Sequence, residues 1–409
     1  MRSLLLDFSL ALRNVLRHRR RSAVAIGAVA FGIMALLIAG GFIEWIFQDL
    51  RESTIQSQLG HLQIARPGYH DAGKADPYAY LLPDEIPQFE TPNESRRIKT
   101  VAPRLSFSGL ASHGDASVSF IGDGVSPRDE ALFGRGVLIT AGRNLAPDEP
   151  LTVIMGEGLA RNLGVKIGDK VVLLVNTATG GTNGVELTVT GLFATVSKAY
   201  DDAALRMPIA TARTLLRTKG SHVWVVLLNE TAATDGMLAR LSAALPKDQF
   251  EVVPWHQLAD FYNKMKRLFT QQVHGVRLII ALIILLSISN TMTMSVLERI
   301  SEIGTSMALG SKRVGVLRQF VGEGVLLGCF GGLLGLLVGT ALAATISAIG
   351  IPMPPPPGLS YGLTGQIIVT WQIALEALLL AIATTLVGSM YPAWTASRKQ
   401  IVDALRHSR

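Results

Sequence analysis

Four stretches of this chain run for twenty residues or more without a charged side chain, and no other feature limits its fold so tightly. They lie between Arg21 and Glu44, Arg277 and Glu298, Glu323 and Glu376, and Glu376 and Arg398. The first, second and fourth hold 22, 20 and 21 residues. About 20 apolar residues at roughly 1.5 Å each cross a ~30 Å hydrocarbon core, so each run predicts one membrane span. The third holds 52 residues, room for a span, a loop and the outer end of the next. Its interruption, Pro352-Met353-Pro354-Pro355-Pro356-Pro357-Gly358, cannot continue a helix, because proline lacks the amide donor and clashes with the preceding turn. Four spans follow: 22–47, 273–297, 319–350 and 371–394. The composition agrees, since 17% of residues are charged where soluble chains carry about a quarter.

A signal peptide is the alternative reading of the first span, whose Arg19-Arg20-Arg21 start resembles an n-region. Its apolar run is longer than the roughly 7 to 15 residues of an h-region, and three more spans follow it. Basic residues near the span ends set the expected orientation. Residues 1–21, 298–318 and 398–409 carry net +5, +2 and +3, whereas 48–270 carries −1. Both termini and the middle loop are thus expected in the cytoplasm, with segment 48–272 and the Pro-rich loop 351–370 outside. The overall +7 belongs to this topology, so nucleic acid is not an expected partner. Residues 4–16 place Leu5, Phe8, Leu12 and Leu16 at helical spacing opposite Arg13 and Arg17, which predicts an interfacial helix within 1–21 that meets lipid headgroups.

The large segment 48–272 reads as α+β. Strands are predicted at Val101–Leu110, Ser117–Ile121, Lys170–Asn176, Val185–Val189, Met207–Ile209 and His222–Leu228, with a short helix at Gly156–Asn162. The single cysteine, Cys329, lies in the third span, so this segment is expected to fold without disulfides and without a cysteine-based metal site. His61, His70 and His113 have no ligand spacing and predict packing or surface roles. Gly180–Gly184 lacks the Lys-Ser/Thr of a phosphate loop, and the chain has no Gly-x-Ser-x-Gly elbow. Asp201 and Asp202 are sequence neighbours that point apart, which predicts a solvated turn. A binding or docking module is expected here, with no catalytic, cofactor or metal residues.

In the third span Gly324, Gly328 and Gly332, and Gly331, Gly335 and Gly339, form ladders that admit a close neighbouring helix, in this copy or a second one. Ser287, Ser289 and Asn290 of the second span can hydrogen-bond across such a contact. Glu44, Glu323 and Glu376 sit at span ends and predict headgroup-level placement, with Trp45 and Trp371 as outer anchors and Trp394 as an inner one. The segment 298–318 has an apolar edge of Ile303, Met307 and Leu309 between Gly304 and Gly310, which predicts a short docking helix with sharp turns at both ends.

Residues 295–339, beginning SVLERISEIGTSMALGSKR, 391–408, YPAWTASRKQIVDALRHS, and 10–37, beginning LALRNVLRHRRR, resemble the FtsX/MacB/LolC-LolE (type VII) class of ABC transporter permeases. GHLQIARPGY, MGEGLARNLGVKIGDKVVLL and GGTNGVELTVTGLF look most like the lipoprotein-releasing branch. The resemblance implies a bacterial inner-membrane permease with four helices and a porter-like domain carrying an insert near 140–200. It makes Glu298 to Gly310 a coupling helix: Ile303, Gly304, Met307, Ala308, Leu309 and Gly310 would meet an ATPase, oriented by Glu298, Arg299 and Glu302. This sequence lacks a Walker motif, unlike the fused MacB type, so ATP and magnesium would bind a separate ATPase subunit. A second permease copy or paralogue, a periplasmic carrier or adaptor, membrane lipids and a lipoprotein or amphiphile cargo are the other implied partners. Drug efflux and regulation of a cell-wall hydrolase are the alternative functions within the class.

Overall fold

The computed structural model describes residues 11–73, 76–84, 97–195, 197–353 and 363–398. The start of the expected interfacial helix, residues 354–362 of the Pro-rich loop and the tail beyond residue 398 lie outside them. Two compact units result: Met1–Phe47, Lys266–Ile351 and Thr364–Arg409 form one, and Gln48–Met265 with Pro352–Leu363 the other.

The first unit is helical. Residues 11–17 form a helical segment that leads into α1, Arg19–Thr54. After the second unit come α5, Asp260–Glu298, α6, Ile300–Ala308, α7, Arg313–Ile349, and α8, Trp371–Arg398. Among the described residues four helices are long and apolar enough to cross a membrane: α1, α5, α7 and α8. Two outrun their predicted spans. α1 continues to Thr54 and α5 begins at Asp260, so residues 260–272 are helical turns of α5, of which those up to Met265 belong to the second unit. Backbone hydrogen bonding sustains a helix past the last apolar residue, which a count of uncharged positions does not register. All four helices share one core, with Ile33, Ile284, Phe320 and Ala381 at its centre.

The second unit is a ten-stranded sheet with helices packed on it. Its elements are β1 Leu62–Ala65, β2 Ile98–His113, β3 Ala116–Val125, β4 Leu138–Gly142, β5 Thr152–Gly156, α2 Glu157–Leu163, β6 Lys170–Asn176, β7 Thr182–Ala194, β8 Ala204–Pro208, α3 Ile209–Leu216, β9 Val223–Leu228, α4 Thr234–Ala244 and β10 Glu251–Pro254. The strand order is β10-β1-β9-β2-β3-β8-β5-β7-β4, with β6 bridging β2 and β7. β3 runs parallel to β8 and β5 to β7, while the other neighbours are antiparallel. The long strand β2 belongs to both halves, pairing with β9 through residues 98–104 and with β6 through 109–112. Trp224, Ile64 and Leu241 pack one core under α4, and Leu105, Met155, Leu173 and Leu215 pack the other under α2 and α3. Residues 140–200 add strands to this same sheet.

The Asp201–Asp202 turn is not solvated as a whole. Asp201 is buried, and its carboxylate accepts the Thr195 amide (2.9 and 3.1 Å) and hydroxyl (2.7 Å), while half-buried Asp202 pairs with Lys198. A Cβ on Gly156 or Gly158 would collide with Asp201 or Asp202, so these glycines admit the turn against β5 and α2.

Two buried histidines of the second unit, His61 and His222, are neutral. His61 Nδ1 accepts the Leu228 amide at 3.0 Å, which leaves Nε2 as the donor to Thr231 Oγ1 at 3.1 Å; Thr231 in turn donates to Glu52 of α1 at 2.8 Å. His222 Nδ1 accepts the Ser106 amide at 3.1 Å. Burial pushes both down from 6.5 to about 4, and a proton on either Nδ1 would face an N–H. Since the folded values lie below the unfolded one, their contribution is complete above about pH 6.5 and is lost as pH falls toward 4. The expected loss is on the order of 3 kcal/mol per histidine. In denaturant unfolding followed by tryptophan fluorescence, His61→Asn keeps an acceptor for Leu228 but cannot protonate there. It is expected to flatten the slope over that window; an unchanged slope would assign the acid sensitivity elsewhere.

Candidate functional site

The segment between α5 and α7 is shaped by two local breaks. α5 stops at Glu298 because Arg299 leaves helical geometry (φ −106°, ψ 15°), and the chain restarts as α6. At the far end the Gly310 amide donates to Met307 O and the Ser311 amide to Ser306 O, each at 3.1 Å. This bond pair is a Schellman turn, whose left-handed residue is Gly310 at φ 98°. Leu309 caps the helix and is left 86% exposed beside exposed Ala308.

The expected apolar edge divides in two. Ile303 and Met307, four apart on one helical face, are buried in the core shared with Ile288, Met292 and Phe320, whereas Leu309 follows the last helical residue and points away from that core. Gly304 is also buried inside α6 and makes no turn. Of the residues expected to meet an ATPase, Ala308, Leu309 and Gly310 are exposed, and Ile303, Gly304 and Met307 are buried.

Charge holds the start of α6. Arg299 Nη1 donates to Glu323 Oε1 at 2.9 Å, and Asn14 Nδ2 donates to the same oxygen at 2.7 Å. Arg299 Nε reaches Glu302 at 3.3 Å, and its guanidinium lies 5.2 Å above the Phe320 ring. Glu323 is 4% exposed: a buried carboxylate at the end of a membrane helix needs partners, and α6 and the N-terminal segment supply them. Arg21 pairs with Glu298, and Arg17 lies 3.8 Å from Glu302, so these arginines hold the segment between α5 and α7. Glu376 pairs with Arg277 at 2.5 Å. Trp45 is buried and stacks on Phe42, unlike an interfacial anchor, while Trp371 and Trp394 are exposed.

The glycine ladders of α7 meet helices of the same chain. A Cβ on Gly324, Gly328 or Gly332 would meet Ser389, Thr385 or Leu378 of α8; on Gly331, Gly335 or Gly339 it would meet Val29, Ala30 or Leu37 of α1. Asn290 is exposed on α5, away from both contacts. Gly388, where α8 passes Leu285 O and Ile288 of α5, and Gly32, where α1 passes Ile284, perform the same service. Neither belongs to a spacing repeat that would have marked it in the sequence.

The family model for the MacB-like periplasmic core domain matches residues 22–244, and that for the FtsX-like permease C-terminal region matches 276–401. An uncharacterised ABC transporter permease of Methanocaldococcus jannaschii is 27% identical over 279 residues; that alignment spans 66% of this chain and 66%, just under two thirds, of the relative. The ABC transporter permease YknZ of Bacillus subtilis is 25% identical across 99% of this chain and 100% of its own length. The lipoprotein-releasing system transmembrane protein LolC of Xylella fastidiosa is 23% identical across 98% and 99% of the two chains. One family model covers more than half of the chain and the other covers the helices that follow it, and so the chain belongs to the ABC transporter permeases of the FtsX/MacB/LolC class.

Proposed function

We propose that this chain is a permease subunit on which a separate ATPase docks at the turn closing α6, so that ATP binding and hydrolysis in that partner move the large domain on the opposite face of the membrane. ATP and magnesium reside in the ATPase. The cationic segments 1–21, 298–318 and 398–409 support a cytoplasmic position for both termini and for α6. The observation that carries the reading is Leu309. A lone exposed leucine means little, but this one ends a helix whose other face is buried and whose cap is pinned by Arg299 and Glu323. It is therefore presented in a fixed place, with Ala308 and Gly310 beside it.

Leu309→Arg is expected to abolish recovery of an ATPase with the tagged chain from native membranes, while insertion and yield stay normal. A full complement of ATPase on that variant would remove the docking assignment.

The cargo in this reading is a lipoprotein or another amphiphile drawn from the inner membrane, handled by two permeases and passed to an outer carrier. Similarity to LolC over nearly the whole chain supports it. A protein groove can take up acyl chains because burial of each CH₂ recovers roughly 0.8 kcal/mol of what leaving the bilayer costs. ATP-dependent release of a labelled lipoprotein from proteoliposomes is the expected result. Absence of release, with ATP hydrolysis intact, would turn the assignment toward efflux or toward regulation of a hydrolase.

A further inference from the structure

α1 does not fray where it enters the sheet. Beyond Thr54 it widens into a π-turn, Ile55–Leu59, closed by the Gly60 amide on Ile55 O at 2.8 Å, with Gly60 at φ 63°. The last carbonyls of a helix have no partner within it and carry the negative end of its dipole. Two arginines take them here. Arg206 of β8 donates from Nη2 to Ser57 O at 2.7 Å, and Arg104 of β2 donates from Nη1 to Gln58 O.

The same two side chains converge on Glu130. Arg104 holds it with Nε and Nη2 at 2.7 and 3.1 Å, and Arg206 reaches it with Nη1 at 3.2 Å. Their guanidinium groups also lie over Phe133 and Phe193, at 5.1 and 5.8 Å. Glu130 balances one of the two charges. The dipole end of α1 and Asp123, which is held by the Ser106 and Tyr200 hydroxyls at 2.7 Å, face the other.

Both arginines are almost wholly buried. Pairing these charges by itself returns little stability, since desolvating the ions offsets most of it. What an arginine fork adds is geometry: each planar guanidinium fixes a carbonyl and a carboxylate together, in one register. A second tether, from Leu228 through His61 and Thr231 to Glu52, ties the preceding turns of α1 to β9. The last turns of α1 are thus part of the sheet's own packing.

We propose that Arg104, Arg206 and Glu130 are positioning residues of the transport cycle: they clamp the end of α1 to β2 and β8, so that movement of α1 is carried into the large domain and not absorbed at a hinge. This rests on the reading that the large domain moves with the nucleotide state of a docked ATPase. The clamp is polar and specific where a hinge would be glycine-rich and unpaired.

The test uses the full chain with its co-purified ATPase in lipid nanodiscs. Spin labels are placed at Lys99→Cys and Ala348→Cys, two exposed positions, after Cys329→Ala. ATP with vanadate is expected to shift the interlabel distance distribution in this parent. Arg104→Met with Arg206→Met is expected to lose the shift while ATP hydrolysis continues. Arg206→Lys guards against misfolding, because it keeps the buried cation beside Glu130 but cannot hold Glu130 and Ser57 O at once; it is expected to diminish the shift. If the double variant does not fold, Arg206→Lys decides alone. An undiminished shift in the folded variants overturns the clamp. No shift in the parent overturns the transmitter reading itself, and the clamp with it.

Discussion

Arg299→Met is expected to destabilise the membrane unit by about 3–5 kcal/mol, and Arg299→Met combined with Glu323→Met to recover most of that loss. The single substitution leaves a carboxylate that is 4% exposed with Asn14 as its remaining donor at Oε1. The pair of substitutions removes the stranded charge and refills the space with apolar atoms. Thermal unfolding of the detergent-purified single and double variants, arranged as a double-mutant cycle, reads the coupling directly. An equal loss in the double variant would assign the cost to packing of Arg299 over Phe320 instead. In function, the single variant is expected to weaken ATPase docking in step with its loss of stability, because α6 loses the anchor at its first turn.

The second large effect is expected in the glycine ladders, and it separates positions that look alike in sequence. A Cβ on Gly335 would lie 2.6 Å from Ala30 O and 3.0 Å from Ala30 Cα, backbone atoms that cannot retreat without moving α1. A Cβ on Gly332 would meet the tip of Leu378 at 2.8 Å, which can rotate away. Gly335→Ala is therefore expected to cost about 1–3 kcal/mol of overpacking and Gly332→Ala well under that, with Gly335→Val preventing stable insertion. The recovery of monodisperse protein from membranes ranks the three. Helix propensity favours alanine equally at both positions, so equal losses at Gly332 and Gly335 would show that proximity to a neighbour's backbone does not set the cost.

The parts of the fold that were legible in advance are those with a local cause. Four spans follow from the positions of charged residues alone, because a charge in hydrocarbon is expensive wherever the chain goes next. The strand at Lys170–Asn176 is a run of five apolar residues, Val171 to Val175, four or five being the length of a strand and too few for a helix, so it is visible in a single line of text; that alternate positions along it are buried is not. Gly310 announced its turn because a left-handed residue in that position calls for glycine.

Other features have causes distant in the chain. β1 has four residues and lies between β9 and β10, about 160 and 190 positions later, so neither its existence nor its place shows in local pattern. Ile303 and Leu309 are equally apolar, and only the packing of α6 on Ile288 and Phe320 decides that one faces the core and the other is left exposed. Glu323 read as a span-end carboxylate; its burial follows from Asn14 and Arg299, 309 positions before it and 24 before it. Arg104, Glu130 and Arg206 are ordinary charged residues in sequence and one ion cluster in space. The sequence by itself determined the number of membrane helices and the class of the domain between them, because desolvation of charge and the periodicity of side chains act along the chain. Which charges are buried together, which glycines touch backbone and which apolar residue of α6 stays exposed were decided by the tertiary structure, because those depend on groups brought together only when the chain has folded.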